Sequence, residues 1–166
     1  MMIKNFDENK KSLGPSGISI KDVAVVIINY NTSKYTLECV RTVLQITSKD
    51  TSYQIVVVDN SSTIEDYKNL KVNFPSDTRC KLVRSGFNTG FGGGNITGVK
   101  ASLPARYLLF LNNDCLLLND CLTILTEFMD SHPRVGVCTA QNFDEHGNLV
   151  PSFDHNKGLR RLLFGR

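Results

Sequence analysis

The sequence lacks the features that would mark a membrane or secreted protein. No run approaches the roughly 20 apolar residues that a membrane-spanning helix needs. The longest apolar stretch, over residues 108–118, is interrupted by the polar residues 112–114. Residues 1–21 contain no apolar segment of the kind found in signal peptides. These absences predict a cytoplasmic protein.

Charge of one sign and paired cysteines are also scarce. The 166 residues carry 19 basic and 16 acidic side chains, a net charge of +3, which is too small and too scattered to indicate nucleic-acid binding. The five cysteines form no Cys-x-x-Cys pair, and the three histidines show no metal-ligand spacing. Since most of the cysteines stand among apolar residues, we expect free thiols in a reducing compartment.

Short apolar runs alternate with helical patterns, in the order typical of an α/β domain. Runs rich in Val, Ile and Leu predict strands at residues 23–28, 54–58, 81–84, 106–111 and 135–140. Apolar residues at helical spacing predict helices at residues 34–46, 64–72, 95–103 and 120–130. Continuous apolar runs are typical of strands buried on both faces. We therefore expect a mostly parallel sheet flanked by helices on both faces.

The two ends of the chain differ from its middle. The polar residues 1–21 predict a disordered leader before a single domain over residues 22–156. Residues 157–166 form a tail with four basic and no acidic residues, interleaved with leucine and phenylalanine. This tail predicts either peripheral contact with the inner face of the plasma membrane, or the start of an acceptor-binding region that packs against further protein.

The most informative segment is rich in glycine. Residues 88–98 contain five glycines and two asparagines, Asn88 and Asn95. The segment follows the third predicted strand and leads into the third predicted helix, so it predicts a glycine-rich turn. Glycine lets a backbone approach a ligand closely, and a helix start offers free N–H groups. We expect the segment to border a nucleotide site, and the alternative is a turn that serves packing alone.

Polar clusters follow the carboxyl ends of four predicted strands. They are Tyr30-Asn31, Asp59-Asn60, the segment 86–95 and residues 112–114. In an open parallel sheet this edge is where ligands bind, so four clusters predict one shared crevice. A dinucleotide-binding dehydrogenase is not expected, because the glycines follow the third strand rather than the first.

In this order, the motifs resemble those of the family 2 glycosyltransferases, which have the GT-A fold with a Rossmann-like nucleotide-binding half. The resemblance covers residues 22–150. It rests on Val23-Ala-Val-Val-Ile-Ile-Asn-Tyr-Asn31, Val56-Val-Val-Asp-Asn-Ser-Ser62, Asn88-Thr-Gly-Phe-Gly-Gly-Gly-Asn95 and Leu109-Phe-Leu-Asn-Asn-Asp114. The third segment is most similar to the rhamnosyltransferase branch of bacterial polysaccharide synthesis. The resemblance implies inverting transfer of a sugar from a UDP- or dTDP-sugar to a polysaccharide or lipid-linked glycan.

The resemblance also implies roles for particular side chains. Tyr30 would pack against the nucleobase, and Asp59 would accept a hydrogen bond from a pyrimidine N–H. Asp114 ends a degenerate Asp-x-Asp motif, in which Asn112 replaces the first aspartate, and would bind Mg²⁺ or Mn²⁺. The other nucleotide-binding candidates are Asn31, Asn88, Gly90, Asn95 and Asn113. No catalytic residue is assigned, because the resemblance places the general base beyond residue 166.

The replacement of the first aspartate by Asn112 and the lack of an assigned general base leave two interpretations open. The chain is the donor-binding part of a glycosyltransferase, with weak or no turnover by itself, or it is a non-catalytic nucleotide-binding or scaffolding domain of the same fold. A nucleotidyltransferase is disfavoured, because the loop over residues 29–33 contains no glycine. The acidic residues near His146 are interpreted as a polar turn over residues 144–148 rather than as an acid/base pair.

Overall fold

A computed structural model describes residues 1–5 and 19–152 of the chain. Its strands are Met2–Lys4 (β1), Lys21–Asn29 (β2), Tyr53–Asp59 (β3), Cys80–Arg84 (β4), Ala105–Leu111 (β5), Val137–Cys138 (β6), Asn142–Phe143 (β7) and Leu149–Val150 (β8). Its helices are Ser33–Ile46 (α1), Ile64–Asn73 (α2), Gly90–Ala101 (α3) and Cys121–Ser131 (α4). The first four predicted strands and all four predicted helices are present.

Six strands form one sheet, in the order β4-β3-β2-β5-β1-β6. The four long strands β4, β3, β2 and β5 run parallel to one another, while β1 is antiparallel to both β5 and β6. Successive β2 residues face opposite layers: Val25 belongs to the core under α1 and α4, and Val26 lies against α3. Helices therefore cover both faces, and the predicted α/β architecture with a mostly parallel sheet is confirmed.

The first strand was not predicted. Met2–Lys4 pairs with β5 and β6, and Met2 is completely buried. The prediction of a disordered leader over residues 1–21 is therefore wrong at residues 2–4, where the apolar pair Met2-Ile3 is too short to signal a strand by its pattern. Residues 6–18 and 153–166, the latter including the predicted tail, lie outside the described residues.

The predicted fifth strand over residues 135–140 is reduced to Val137–Cys138, which pairs antiparallel with β1. The strands β7 and β8 then form a hairpin, in which the N–H of Asp144 donates to the carbonyl oxygen of Asn148 at 3.0 Å. This hairpin confirms the polar turn predicted over residues 144–148. Among the described residues, no helix is both long and apolar enough to cross a membrane.

The glycine-rich segment is helix for most of its length. Helix α3 begins at Gly90, five residues before the predicted start, so the expected turn is wrong beyond that residue. A Cβ added to Gly98 would lie 2.3 Å from Val26 Cγ1, and one added to Gly94 would lie 3.1 Å from Ile28 Cδ1. These two glycines are one helical turn apart. They let α3 pack directly on β2, which is the packing role weighed as the alternative.

Candidate functional site

A pocket opens at the edge of the sheet where the parallel strands end. Its volume is about 420 Å³, and it is lined by Ile28, Tyr30, Thr32, Asn60, Asn88, Gly90, Phe91, Asn112, Asn113 and Asp114. Apart from Ile28, which lies in β2, these residues come from the segments that follow β2, β3, β4 and β5. The polar clusters after four strands therefore meet at one crevice, as their positions predict.

Two aromatic rings and one carboxylate are among the exposed groups of this pocket. Tyr30 is 49% exposed and Phe91 is 61% exposed, and Asp114 is exposed as well. Phe91 was not singled out from the sequence, where it reads as one residue of a glycine motif. Among the described lining residues, none is Lys or Arg. The pocket thus offers flat apolar surface and negative charge, but no basic side chain that could balance a phosphate.

Asn60 joins the loop after β3 to the start of α3. Its amide nitrogen donates to Asn88 Oδ1 at 2.9 Å and to the carbonyl oxygen of Gly90 at 3.1 Å, while its amide oxygen accepts the N–H of Thr89 at 3.1 Å. Asn88 Oδ1 also accepts the N–H of Gly90 at 2.8 Å. Asn88 therefore orders the wall of the pocket through its oxygen, and direct contact with a nucleotide stays a prediction for Asn88 and Gly90.

Asp59 lies beneath this wall rather than in it. The side chain is completely buried and does not line the pocket. Its Oδ1 accepts a hydrogen bond from Asn29 Nδ2 at 3.0 Å, and its Oδ2 forms an ion pair with Arg84 Nε at 3.3 Å without hydrogen-bond geometry. Arg84 in turn lies 4.1 Å from the centre of the Tyr67 ring. Contact of Asp59 with a pyrimidine stays a prediction, and it would require this carboxylate to become exposed.

Asn29, the last residue of β2, is a buried polar residue that sequence reasoning did not assign to the site. Its Nδ2 lies 3.0 Å from Asp59 Oδ1 and 2.9 Å from Asp66 Oδ2, and its Oδ1 accepts the hydroxyl of Thr36 at 2.7 Å. The sequence signal that could have indicated its role is an asparagine at the end of an otherwise apolar run. The neutral amide lies between two carboxylates and holds both.

Asp66 links α2 to α1. Its Oδ1 accepts the N–H of Ser33, the first residue of α1, at 3.0 Å. Burial raises the pKa of Asp66, but hydrogen bonds from Asn29 and Ser33 outweigh that effect and leave the pKa below its ordinary value. The negative charge thus lies at the positive end of a helix, where it is stabilised.

Two predicted contacts lie outside the pocket lining. Asn31 has a left-handed φ of 58°, and its Oδ1 accepts the N–H of Thr63 at 2.8 Å, so it ties two loops together. Asn95 lies inside α3, five residues after the helix begins, and is half-buried. Nucleotide contact stays a prediction for both residues, and neither lines the cavity.

The loop over residues 112–114 forms the opposite wall. Asn113 Nδ2 donates to Thr32 Oγ1 at 2.6 Å and to Thr36 Oγ1 at 2.9 Å, which fixes its amide against α1. Within the described part of the chain, no three His, Cys, Asp or Glu side chains are grouped to hold a metal ion. Mg²⁺ is commonly held by one or two carboxylates together with substrate phosphates and water. Asp114 therefore fits an ion that arrives with a diphosphate, rather than a closed metal centre.

Comparison with known protein families decides what kind of domain carries this pocket. Residues 24–162 match the family described as Glycosyl transferase family 2. The chain belongs to this family. The matched region begins within β2 and includes β3 to β8 and the residues that line the pocket, whereas β1 lies before it.

Curated relatives are much longer than this chain. An uncharacterized glycosyltransferase of Rickettsia conorii is 28% identical over 131 residues, which cover 78% of the chain and 21% of the relative. A chondroitin synthase of Escherichia coli is 29% identical over 130 residues, which cover 77% of the chain and 18% of the relative. The chain therefore spans about a fifth of the length of these relatives.

Solved structures agree with this assignment at the level of the fold. Residues 1–349 of TarS from S. aureus match with a TM-score of 0.58 and 22% identity, over 68% of this chain and 33% of that one. TarS in complex with UDP-GlcNAc matches with a TM-score of 0.57 over 68% of this chain and 32% of that one. The GT-A type of fold implied by the motifs is confirmed.

Proposed function

We propose that this glycosyltransferase domain binds the donor in an inverting transfer from a UDP- or dTDP-sugar to a polysaccharide or lipid-linked glycan. The observation that carries the proposal is the pocket at the carboxyl edge of the parallel strands, with two exposed rings and one carboxylate. A nucleoside diphosphate has the matching groups, a flat base and an anionic diphosphate. The complexes of TarS with UDP and with UDP-GlcNAc support a nucleotide-sugar donor.

The rings of Tyr30 and Phe91 are the proposed contacts of the nucleobase. Both line the pocket and both are exposed, so a base can cover their apolar surface without displacing other protein groups. Stacked aromatic pairs contribute about 0.5–1.5 kcal/mol beyond the burial of area. Uracil and thymine both present such a face.

Asp114 is the proposed ligand of Mg²⁺ or Mn²⁺. The described lining of the pocket contains no Lys or Arg, so its side chains cannot balance a diphosphate by themselves. A bound ion would neutralise the charge that develops on the departing nucleoside diphosphate. Asp114 would hold the ion by its carboxylate, and Asn113 would keep the neighbouring backbone against α1.

Calorimetric titration with UDP and dTDP, with and without Mn²⁺, tests this proposal. Tyr30→Ala should weaken binding by about 2- to 13-fold in both conditions, as loss of a stacked pair predicts. Asp114→Asn should abolish the gain in affinity from Mn²⁺ and should not weaken metal-free binding, because it removes a negative charge near the diphosphate. Matched controls are Tyr35→Ala, 60% exposed on α1, and Asp50→Asn, exposed beyond the end of α1. Neither lines the pocket.

The outcomes separate the function from the site. A protein that binds neither nucleotide, with or without Mn²⁺, contradicts the proposed function. Binding that is insensitive to both Tyr30→Ala and Asp114→Asn contradicts the assignment of the site. Equal losses in the Tyr35→Ala control would mean that a general change in the protein, rather than stacking, explains the effect.

The donor sugar and the branch of the family are further parts of the proposal. The Asn88–Asn95 motif supports the rhamnosyltransferase-like branch. Titration with dTDP-rhamnose beside UDP-GlcNAc tests it, since tighter binding of the second donor contradicts that branch. The proposed contact of residues 157–166 with an anionic membrane is tested by co-sedimentation with anionic vesicles, which removal of those residues should abolish.

A second candidate is a non-catalytic nucleotide-binding domain. It is favoured by the single carboxylate of the loop over residues 112–114, where Asn112 and Asn113 replace further acidic ligands. Because the chain spans only part of its relatives' length, we expect donor binding with weak or no sugar transfer. Release of UDP from UDP-GlcNAc with a glycan acceptor measures this. Sustained multiple turnover would contradict both the weak-turnover expectation and the second candidate.

A further inference from the structure

We infer that Asn29 and Thr36 are positioning residues that set the metal affinity of Asp114 by way of Asn113. The inference rests on the proposed function and goes beyond it, since neither residue lines the pocket in which the donor is proposed to bind. The observation is an unbroken chain of hydrogen bonds. The Thr36 hydroxyl donates to Asn29 Oδ1 at 2.7 Å and accepts from Asn113 Nδ2 at 2.9 Å.

The hydroxyl of Thr36 is suited to this role because it both donates and accepts. Thr36 and Asn29 are completely buried, so water does not compete for these bonds. Asn113 directs its two amide hydrogens to Thr36 and to Thr32, which fixes the direction of its side chain. The next residue along the chain is Asp114. Because the Asn113 side chain is fixed, we expect the backbone that joins Asn113 to Asp114 to be restrained as well.

The other ties of the loop are weaker or more distant from Asp114. The N–H of Cys115 donates to the carbonyl oxygen of Asn112 at 3.2 Å, and the Cys39 thiol reaches that same oxygen at 3.6 Å. The N–H of Leu117 reaches the Thr42 hydroxyl at 3.3 Å. The bonds of Asn113 to α1, at 2.6 and 2.9 Å, are therefore the short link between the loop and the core.

Asn29 connects this link to the other wall of the pocket. Its amide nitrogen donates to Asp59, next to Asn60, which holds the wall at Asn88 and Gly90. One buried amide thus supports both walls. Loss of the Thr36 hydroxyl breaks only the branch toward Asp114, and so it predicts a selective loss of metal-dependent affinity. A general structural defect would weaken metal-free binding as well.

The test uses Thr36→Val, which removes the hydroxyl and keeps the volume of the side chain. The affinity for UDP is measured with and without Mn²⁺, together with the side-chain amide resonances of Asn113 by NMR. We expect the gain in UDP affinity from Mn²⁺ to fall by about tenfold, as for other residues that support metal ligands. Metal-free affinity should stay unchanged, the Asn113 amide resonances should shift, and Thr36→Ser, which keeps the hydroxyl, should restore both readouts.

Thr126→Val is the matched control. Thr126 is buried on α4, its hydroxyl has no hydrogen-bond partner, and it does not line the pocket. It should change neither the Mn²⁺ effect nor the Asn113 resonances. If Thr36→Val does not fold, Thr36→Ala removes the same hydroxyl at a residue outside the pocket lining and should give the same selective loss of Mn²⁺-dependent affinity.

Each outcome supports or overturns the inference. An undiminished Mn²⁺ effect in Thr36→Val, unshifted Asn113 resonances, or equal loss of metal-free and Mn²⁺-dependent affinity overturns it and leaves the proposed function intact. A wild-type protein that binds neither UDP nor dTDP, with or without Mn²⁺, overturns the proposed function, and the positioning role falls with it. A selective loss that Thr36→Ser restores supports both.

Discussion

The two walls of the pocket are built in different ways. The base-side cluster, which consists of Asn29, Asp59, Asn60, Asp66 and Arg84, is joined by hydrogen bonds and an ion pair, and the first three residues are buried. The metal-side loop, residues 112–114, is tied to the core by two short bonds of Asn113 and a weaker contact of the Asn112 carbonyl oxygen with the Cys39 thiol, while the side chains of Asn112 and Asp114 are exposed. The polar groups of the first wall bind mainly to one another, whereas the second wall presents the exposed carboxylate of Asp114 to the pocket.

This difference separates residues that hold the fold from residues that we propose to hold a ligand. Buried polar groups cost free energy unless they are partnered, so the base-side cluster is constrained by its own hydrogen bonds. An exposed carboxylate has water as a partner and carries no such constraint. Substitutions in the base-side cluster should therefore change the free energy of unfolding, and substitutions in the metal-side loop should change affinity.

The strongest test places the same substitution on both walls. Asn29→Asp adds a buried carboxylate beside the buried Asp59 and the partly exposed Asp66, and it removes the amide donor that they share. We expect the free energy of unfolding at neutral pH to fall by about 3–5 kcal/mol, as for other unpaired buried charges. Urea denaturation measures it, and the loss should shrink as the pH falls, because a protonated carboxyl can donate again.

The matched substitution on the other wall is Asn112→Asp. Asn112 is exposed, so the free energy of unfolding should change by less than about 0.5 kcal/mol. If Asn29→Asp and Asn112→Asp destabilise the protein equally, the distinction between the two walls is wrong.

The next largest effect is expected where α3 packs on the sheet. Gly98→Ala would place a Cβ 2.3 Å from Val26 Cγ1, so helix α3, which carries Gly90 and Phe91 of the pocket lining, must shift. Overpacking of this kind costs about 1–3 kcal/mol. Thermal unfolding measures the loss.

Gly92→Ala is the control in the same helix, because no atom lies within 4 Å of an added Cβ there. It should stabilise the protein by up to about 1 kcal/mol, since alanine favours a helix more than glycine does. Destabilisation by Gly92→Ala as large as that of Gly98→Ala would contradict close packing as the cause.

A gain of affinity is expected on the metal-side loop. Asn112→Asp supplies a second carboxylate in the pocket that Asp114 lines. Because metal affinity rises with the number of charged ligands, the gain in UDP affinity from Mn²⁺ should increase by about tenfold, or about 1.4 kcal/mol. Asn119→Asp, exposed outside the pocket, is the control for added charge. An Mn²⁺ effect that is unchanged by Asn112→Asp would place the ion elsewhere.

The smallest effect concerns acid stability. The folded-state pKa of Asp66 lies below its ordinary value of 3.8. Its contribution to stability is therefore present above that pH and is lost as the pH falls through the lowered pKa. The difference in unfolding free energy between the wild type and Asp66→Asn should narrow on acidification, by less than about 1 kcal/mol because the group is partly exposed. A difference that widens in acid would reverse the sign of this linkage.

Sequence patterns predicted the parts of this molecule that depend on local order. The apolar run over residues 23–28 predicts a strand of the core, and β2 lies there, with its parallel neighbours β3 and β5. The position of the glycines after the third strand separates this chain from dinucleotide-binding folds. The pattern failed at β1, where three residues owe their conformation to pairing with β5 rather than to any repeat of their own.

The candidate site divides in the same way. Tyr30, Asn88 and Asp114 are predicted by motif and strand position, and the structure brings them to one pocket. Phe91 was missed because a ring inside a glycine-rich motif gives no periodic signal. Asn29 was missed because its role depends on partners at positions 36, 59 and 66, which are distant in sequence.

The sequence by itself therefore determined the order of the strands and helices from β2 to α4, the edge of the sheet at which the pocket opens, and the family. These properties follow from the period of the apolar residues and from the order and spacing of the motifs along the chain. Only the tertiary structure decided which polar residues support the walls and which face the pocket. The reason is physical: burial turns Asn29 and Asp59 into groups that must find partners, whereas the exposure of Asp114 leaves its carboxylate available to a ligand.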